Sequence, residues 1–181
     1  MALTLQGVRR LSRFDQVGFL FFDASRKGFW HSFAAALVCL PIWALAEYQQ
    51  TASLAHDAAL RFLAIQIIAY VVSWLAYPLL VLQIADWFGV WPNYYRYMVA
   101  YNWFQPLLQL LWLPLVLLEF LPPGDVAPVL GLIWIVLQLI QGAYGWFMAR
   151  YGLGVSNSTA LAMTVLDMAL ALMIDQIAAR L

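Results

Sequence analysis

The sequence predicts an all-α, polytopic membrane bundle of about five transmembrane helices with an N-terminal amphipathic segment. Three observations predict it. The 181 residues are 65% hydrophobic and only 10% charged, with a mean hydropathy of +0.81, whereas soluble chains carry about 25% charged residues. The apolar stretches are each long enough for a span of roughly 20 residues, and short turns rich in Gly, Pro, Asn and Asp separate them. Nine Trp, nine Tyr and eleven Phe suit aromatic belts at two membrane surfaces.

Residues 1–27 read as a basic leader and residues 28–181 as one five-helix transmembrane domain. In the leader, Arg9, Arg10 and Arg13 alternate with Leu11, Phe14, Val17 and Phe21 at helical spacing. That pattern predicts a short amphipathic helix on the membrane surface, with Arg9, Arg10, Arg13, Arg26 and Lys27 placed to meet lipid headgroups. A positively charged leader that only fixes orientation explains the same residues equally well. Asp23 and Ser25 are natural N-caps for the first span.

The first span is expected over 28–46, with His31 and Ser32 at its entrance and Pro41 inside. Ala44-Leu45-Ala46 fits a signal-peptidase site, but the charged leader is longer than a signal peptide needs, so the segment is read as a retained span. A polar loop follows from Glu47 to Asp57. The second span, 58–85, carries Gln66, Tyr70, Ser73 and Tyr77 on one helical face, and Pro78 predicts a kink by orphaning the carbonyl of Trp74. After the turn DWFGVWPN, the third span covers 95–121. It is the most polar and aromatic of the set: Tyr95, Met98, Asn102, Gln105 and Gln109 share a side, and Pro106 and Pro114 free two more carbonyls. Unpaired amides in hydrocarbon cost several kcal/mol each, so this stripe is expected to face Gln66, Tyr70 and Ser73.

A hairpin, LPPGDVAP, joins it to the fourth span, 129–149, where Trp134, Gln138, Gln141 and Gly145 share a face and Gly145 with Ala149 permits close helix approach. RYGLGVSNS, residues 150–158, should break the helix and offer Ser156, Asn157 or Ser158 as the next cap. The fifth span, 159–177, aligns Ala160, Thr164, Asp167, Ala171 and Ala178. With the N-terminus cytoplasmic, Arg9, Arg10, Arg13, Arg26, Lys27, Arg96 and Arg150 fall on that side and only Arg61 and Arg180 opposite. Seven against two is a positive-inside bias that predicts an inner (plasma) membrane protein with a periplasmic C-terminus.

The intramembrane polar candidates are Asp167, Asn102, Gln105, Gln109, Gln66, Tyr70, Gln138 and Gln141. Asp167 is the only ionisable residue near the middle of a span, and such residues are functional candidates by default. Removed from water, its carboxyl is expected to stay neutral and bonded to an amide or hydroxyl. A lone acid with no second carboxylate or His makes a poor relay, which favours helix glue over a proton site. His31 reads as interfacial, and the single cysteine, Cys39, as a small helix residue rather than a reactive thiol.

The exclusions are more specific. The sole lysine, Lys27, lies outside every span, which excludes a retinal Schiff base. His31 and His56 belong to opposite sides and cannot share one haem. GLGVSNST lacks the lysine of a phosphate loop, no serine has a histidine to activate it, and no acid cluster suits a metal-dependent transferase. No catalytic residue, metal or cofactor is therefore expected, and the zero net charge gives no reason for a nucleic-acid partner. The leading expectation is a non-enzymatic structural or accessory subunit that packs, within the bilayer, against another membrane protein or itself. Its rival is a small transporter or channel component using Asp167 and the polar stripes, and the two differ in whether a water-accessible cavity reaches Asp167. An enzyme acting on lipid or quinone at the Arg-rich face is a third and weaker option.

Overall fold

In the computed structural model, which describes residues 2–52, 54–118, 120 and 127–181, the chain is 87% helical, with no strand among the described residues. Seven helices follow in order: α1 (Ala2–Leu11), α2 (Arg26–Ser32), α3 (Ala34–Thr51), α4 (His56–Trp87), α5 (Tyr94–Leu118), α6 (Ala127–Phe147) and α7 (Asn157–Ala178). A 3₁₀ turn, Gln16–Phe21, follows α1, and a π-helical turn, Met148–Leu153, extends α6.

The leader is not one surface helix as expected. It reverses at Phe14, which takes a left-handed φ of 57°, and the 3₁₀ turn packs back on α1. Two glycines permit this crossing. A Cβ on Gly18 would lie 2.9 Å from the carbonyl oxygen of Gly7 and 2.8 Å from Leu11. Asp15 caps the turn by accepting from the Val17 amide. That bond first, and then Arg10, whose guanidinium bonds Asp15 at 2.8 Å, hold its carboxyl below the usual carboxylate range. Leu11, Phe19 and Phe22 are buried in the main core, because the reversal turns toward the bundle side chains that a straight helix would have left on the membrane surface.

Ser25 caps α2 by accepting from the Gly28 amide, as expected, and the Ser25 hydroxyl and amide hold the Asp23 carboxyl below its ordinary range. The expected loop from Glu47 is helical as far as Thr51. Nothing in Glu47–Thr51 breaks a helix, the Thr51 hydroxyl returns to the carbonyls of Glu47 and Tyr48, and the Gln49 amide donates to the Val116 carbonyl of α5. The break expected after Ala149 also comes later. The π turn carries the chain to Leu153 and ends at Gly154, with φ 83°, a left-handed stop that suits glycine. Its open carbonyls have partners from the start of α5: Arg96 donates twice to Gly152 (2.9 and 3.1 Å) and Asn93 to Leu153 (2.9 Å). Ser156 then caps α7. Of the expected hairpin, residues 121–126 lie outside the described residues, as does Glu119.

Four helical stretches are long and apolar enough to cross a membrane: Arg26–Thr51, His56–Trp87, Val129–Leu153 and Asn157–Ala178. The third of the five expected spans, α5, is not among them. At 25 residues it is about 37 Å long, but its tyrosines, amides and prolines lower its hydropathy. Its first half is enclosed by other helices, while Leu110, Leu111 and Leu117 of its second half are exposed. Around its first half, Tyr94, Tyr97, Met98, Val99, Ala100, Asn102 and Phe104 are all buried. They meet α2, α3, the last turns of α4, the π turn and the leader, in a core to which the first turns of α7 also contribute. Gly145 faces Thr164 so closely that a Cβ would sit 3.0 Å from its methyl, so α6 and α7 approach as the small-residue pair predicts.

Candidate functional site

Below this packed end, α4, α5, α6 and α7 part around a cavity of about 260 Å³. The sequence dictates its polarity. Tyr70, Ser73 and Tyr77 reach it from α4, Tyr101, Asn102, Gln105 and Gln109 from α5, Gln141 from α6 and Asp167 from α7; Trp74 and Trp112 supply aromatic wall. Asp167 lies ten residues into α7, about 15 Å along its axis. That is half of a hydrocarbon core about 30 Å thick.

The hydrogen bonds divide the lining groups sharply. Tyr101 donates to Oδ2 of Asp167 at 2.8 Å, and the hydroxyls of Tyr77 and Tyr97 meet at 2.6 Å, with the rings of Tyr77 and Tyr101 4.6 Å apart. Tyr70 donates to the carbonyl of Ala36 at 2.6 Å, Ser73 to that of Tyr70 at 2.8 Å, and the Trp112 indole to Oε1 of Gln141 at 3.2 Å. The Asn102 amide donates to the Ser32 hydroxyl at 2.8 Å, which itself donates to the carbonyl of Phe29. The lining hydroxyls, the Trp112 indole and the Asn102 amide are therefore engaged with protein. By contrast, Oε1 of Gln109 is buried without a partner among the described residues, and Asp167 has no Lys, Arg or His among the residues lining its cavity.

Of the intramembrane candidates, Asp167, Asn102, Gln105, Gln109, Tyr70 and Gln141 come together here. Gln66 and Gln138 do not line the cavity. The expected facing of stripes holds for Gln105, Gln109, Tyr70 and Ser73, but Asn102 bonds Ser32 of α2 rather than α4. Tyr101, Tyr77, Trp74 and Trp112 were not singled out as site residues. A signal for Tyr101 was present: Tyr94, Tyr97 and Tyr101 recur at i, i+3 and i+7, a helical face as regular as the amide stripe beside it.

The basic candidates lie elsewhere. Arg9, Arg10 and Arg13 border a surface cleft with Gln6 and Asp15, and Arg10 also lies over the Phe21 ring at 5.3 Å. Arg26 and Lys27 open α2 and are exposed. His31 lines a groove beside Trp30, Asp23 and Trp103, and Cys39 is buried on the cavity wall. No group of three metal-ligating side chains occurs among the described residues. Four apolar helices of spanning length are compatible with a membrane protein built as an α-helical bundle. Compared with known proteins, the chain matches no family model, and no curated relative or solved structure resembles it.

Proposed function

We propose that this is a small membrane transport component whose solute-binding site is the cavity around Asp167. The observation that carries the reading is a mid-span acid, bonded by Tyr101 and with no Lys, Arg or His lining its cavity, beside a buried amide oxygen with no partner among the described residues. Helix glue has the opposite character. Glue residues satisfy one another across a closed interface, as Asn102 and Ser32 do. Buried polar groups left open in a protein interior are costly, and a ligand that completes their bonds is a physical reason to keep them. Intramembrane carboxylates beside such cavities line solute and ion paths.

In this reading α5 is a fifth span, buried in its first half and open to lipid at Leu110, Leu111 and Leu117, and the leader end faces the cytoplasm of an inner-membrane protein. The positive-inside bias supports that orientation, with the C-terminus on the far side. The accessory-subunit reading keeps one supporting feature. Leu132, Trp134, Ile135, Val136 and Leu139 of α6 are all exposed, a face open to lipid or to another membrane protein.

Water access separates the two readings. In a Cys39→Ala background, single cysteines at Ser73 and Gln109 should react in intact membranes with a water-soluble maleimide, while one at Leu139 should not. Unreactive cavity positions would return the protein to the subunit reading.

A further inference from the structure

We infer that the cavity is built for a small primary ammonium solute, an inference that rests on the transport reading above. Three features of the lining select this class. The first is charge. Asp167 is the one ionisable carboxyl of the cavity and no Lys, Arg or His lines it, so a cation is the complement that neutralises it where hydrocarbon leaves ions unscreened.

The second is hydrogen-bond polarity. Tyr101, Tyr70, Ser73, Trp112 and Asn102 spend their donors on protein acceptors. Among the described residues Asp167 receives only the Tyr101 bond, at Oδ2, and Oε1 of Gln109 receives none. The open acceptors at Asp167 and Gln109 are met by a ligand with N–H donors, which a primary ammonium has in threes and a quaternary ammonium lacks.

The third is the wall. Tyr70, Trp74, Tyr77, Tyr101 and Trp112 present aromatic rings, which attract cations over their faces and accept a short alkyl chain. Size sets the limits. The volume of about 260 Å³ far exceeds the roughly 30 Å³ of one water, more space than a bare metal ion fills. It also lies below the roughly 300–1,000 Å³ of a drug-sized pocket. An aminophospholipid headgroup offers the same ammonium, but Asp167 sits about 15 Å along α7, at the level of the acyl chains. A free solute fits that depth.

The test uses the full-length protein in nanodiscs of phosphatidylcholine and phosphatidylglycerol, which contain no aminophospholipid. Binding is followed by thermal shift and calorimetry with n-butylammonium, n-butanol, butyrate and tetramethylammonium. The expected result is saturable binding of n-butylammonium at least tenfold tighter than that of the other three. Asp167→Asn should abolish it, and Gln109→Leu should weaken it about tenfold while each variant still unfolds cooperatively. Gln109→Leu, which leaves the carboxyl in place, keeps the test decisive if Asp167→Asn fails to fold, because binding of n-butylammonium undiminished in it overturns the assignment. Equal binding of butanol, preferential binding of butyrate, or no saturable binding of any probe overturns the ammonium assignment. Loss of n-butylammonium binding in matched nanodiscs that also contain phosphatidylethanolamine would instead assign the site to a lipid headgroup. Maleimide labelling of the cavity reports separately on the transport reading, so labelled cysteines without ammonium binding would reject the solute class alone.

Discussion

The two ends of this bundle are built on opposite principles. At the leader end, α5, the last turns of α4, the π turn, the first turns of α7 and the folded-back leader enclose a continuous core. Tyr97, Met98, Phe104, Phe147, Met148 and Leu153 are each no more than 2% exposed there. Toward the far end, around the cavity and beyond it, fewer hydrophobic side chains are buried, among them Cys39 of α3, Leu108 and Leu115 of α5, and Ile174 and Ala178 of α7. Polar chemistry follows the same division. Near the leader the orphan carbonyls are met by Arg96, Asn93 and Tyr144, the last donating to Ser12 at 2.7 Å. In the cavity Asp167 receives the Tyr101 bond alone, and Oε1 of Gln109 has no partner among the described residues. Lipid tails are as apolar as leucine, so packing contacts rather than hydrophobic transfer hold membrane helices together. A bundle clamped at one end can leave its other half loose enough to hold a ligand.

The largest test of the contrast is to remove volume from the clamp. Phe104→Ala opens a cavity against Tyr144, whose ring lies 4.9 Å away, and should cost about 3 kcal/mol in reversible detergent unfolding. Leu139→Ala, on the exposed face of α6, should cost less than about 0.5 kcal/mol. Similar losses at both positions would erase the distinction between the ends.

A smaller effect is expected where the leader crosses itself. Gly18→Val drives a side chain into Leu11 and the carbonyl of Gly7 and should cost about 1–3 kcal/mol. Limited trypsin digestion should then cut at Arg9, Arg10 or Arg13 while the spans stay intact. A leader that remains protected in this variant would show that it is held by something other than the glycine crossing.

Asp167 sharpens the comparison from the other side. Asp167→Leu should destabilise the bundle by about 1 kcal/mol through loss of the Tyr101 bond, and Asp167→Asn by less. Solute movement should fail in both, because only an ionisable group keeps the charge. The buried Asn102–Ser32 pair should show itself in stability. Asn102→Leu and Ser32→Ala should each cost about 1 kcal/mol, with a coupling of roughly 0.6 kcal/mol in the double mutant. Independent effects at Asn102 and Ser32 would argue against their hydrogen bond as the tie between α2 and α5.

The smallest effect concerns pH. The carboxyl of Asp15 is held below its usual range of about 4, first by the Val17 amide and then by Arg10. A depressed folded value means that its contribution is present above the unfolded value and is lost as pH falls through the folded one. Leader protection from acid-stable pepsin should therefore weaken only below about pH 4, and Asp15→Asn should remove that dependence.

By itself the sequence determined the class of fold, the position of most helix ends and the polar character of the interior. Each follows from local chemistry: runs of apolar residues of spanning length, Ser25 and Ser156 as caps, and amides spaced along one face of α5. It also located Asp167 at mid-span, because ten residues of helix have a fixed rise. Only the tertiary structure decided which polar groups meet. Gln66 shares a stripe with Tyr70 and Ser73 yet stays off the cavity, and Asn102 turns to α2, because the rotation of each helix against its neighbours sets side-chain directions that no spacing rule contains. The leader shows the same limit. Its amphipathic period reads as a surface helix, and the left-handed Phe14 with the Gly7–Gly18 approach folds it into the clamp instead. The long-range contacts formed there outweigh a period that only a few residues carry. The open cavity has the same origin: an amide is satisfied or left unpaired according to what neighbouring helices bring to it, and that depends on the whole bundle.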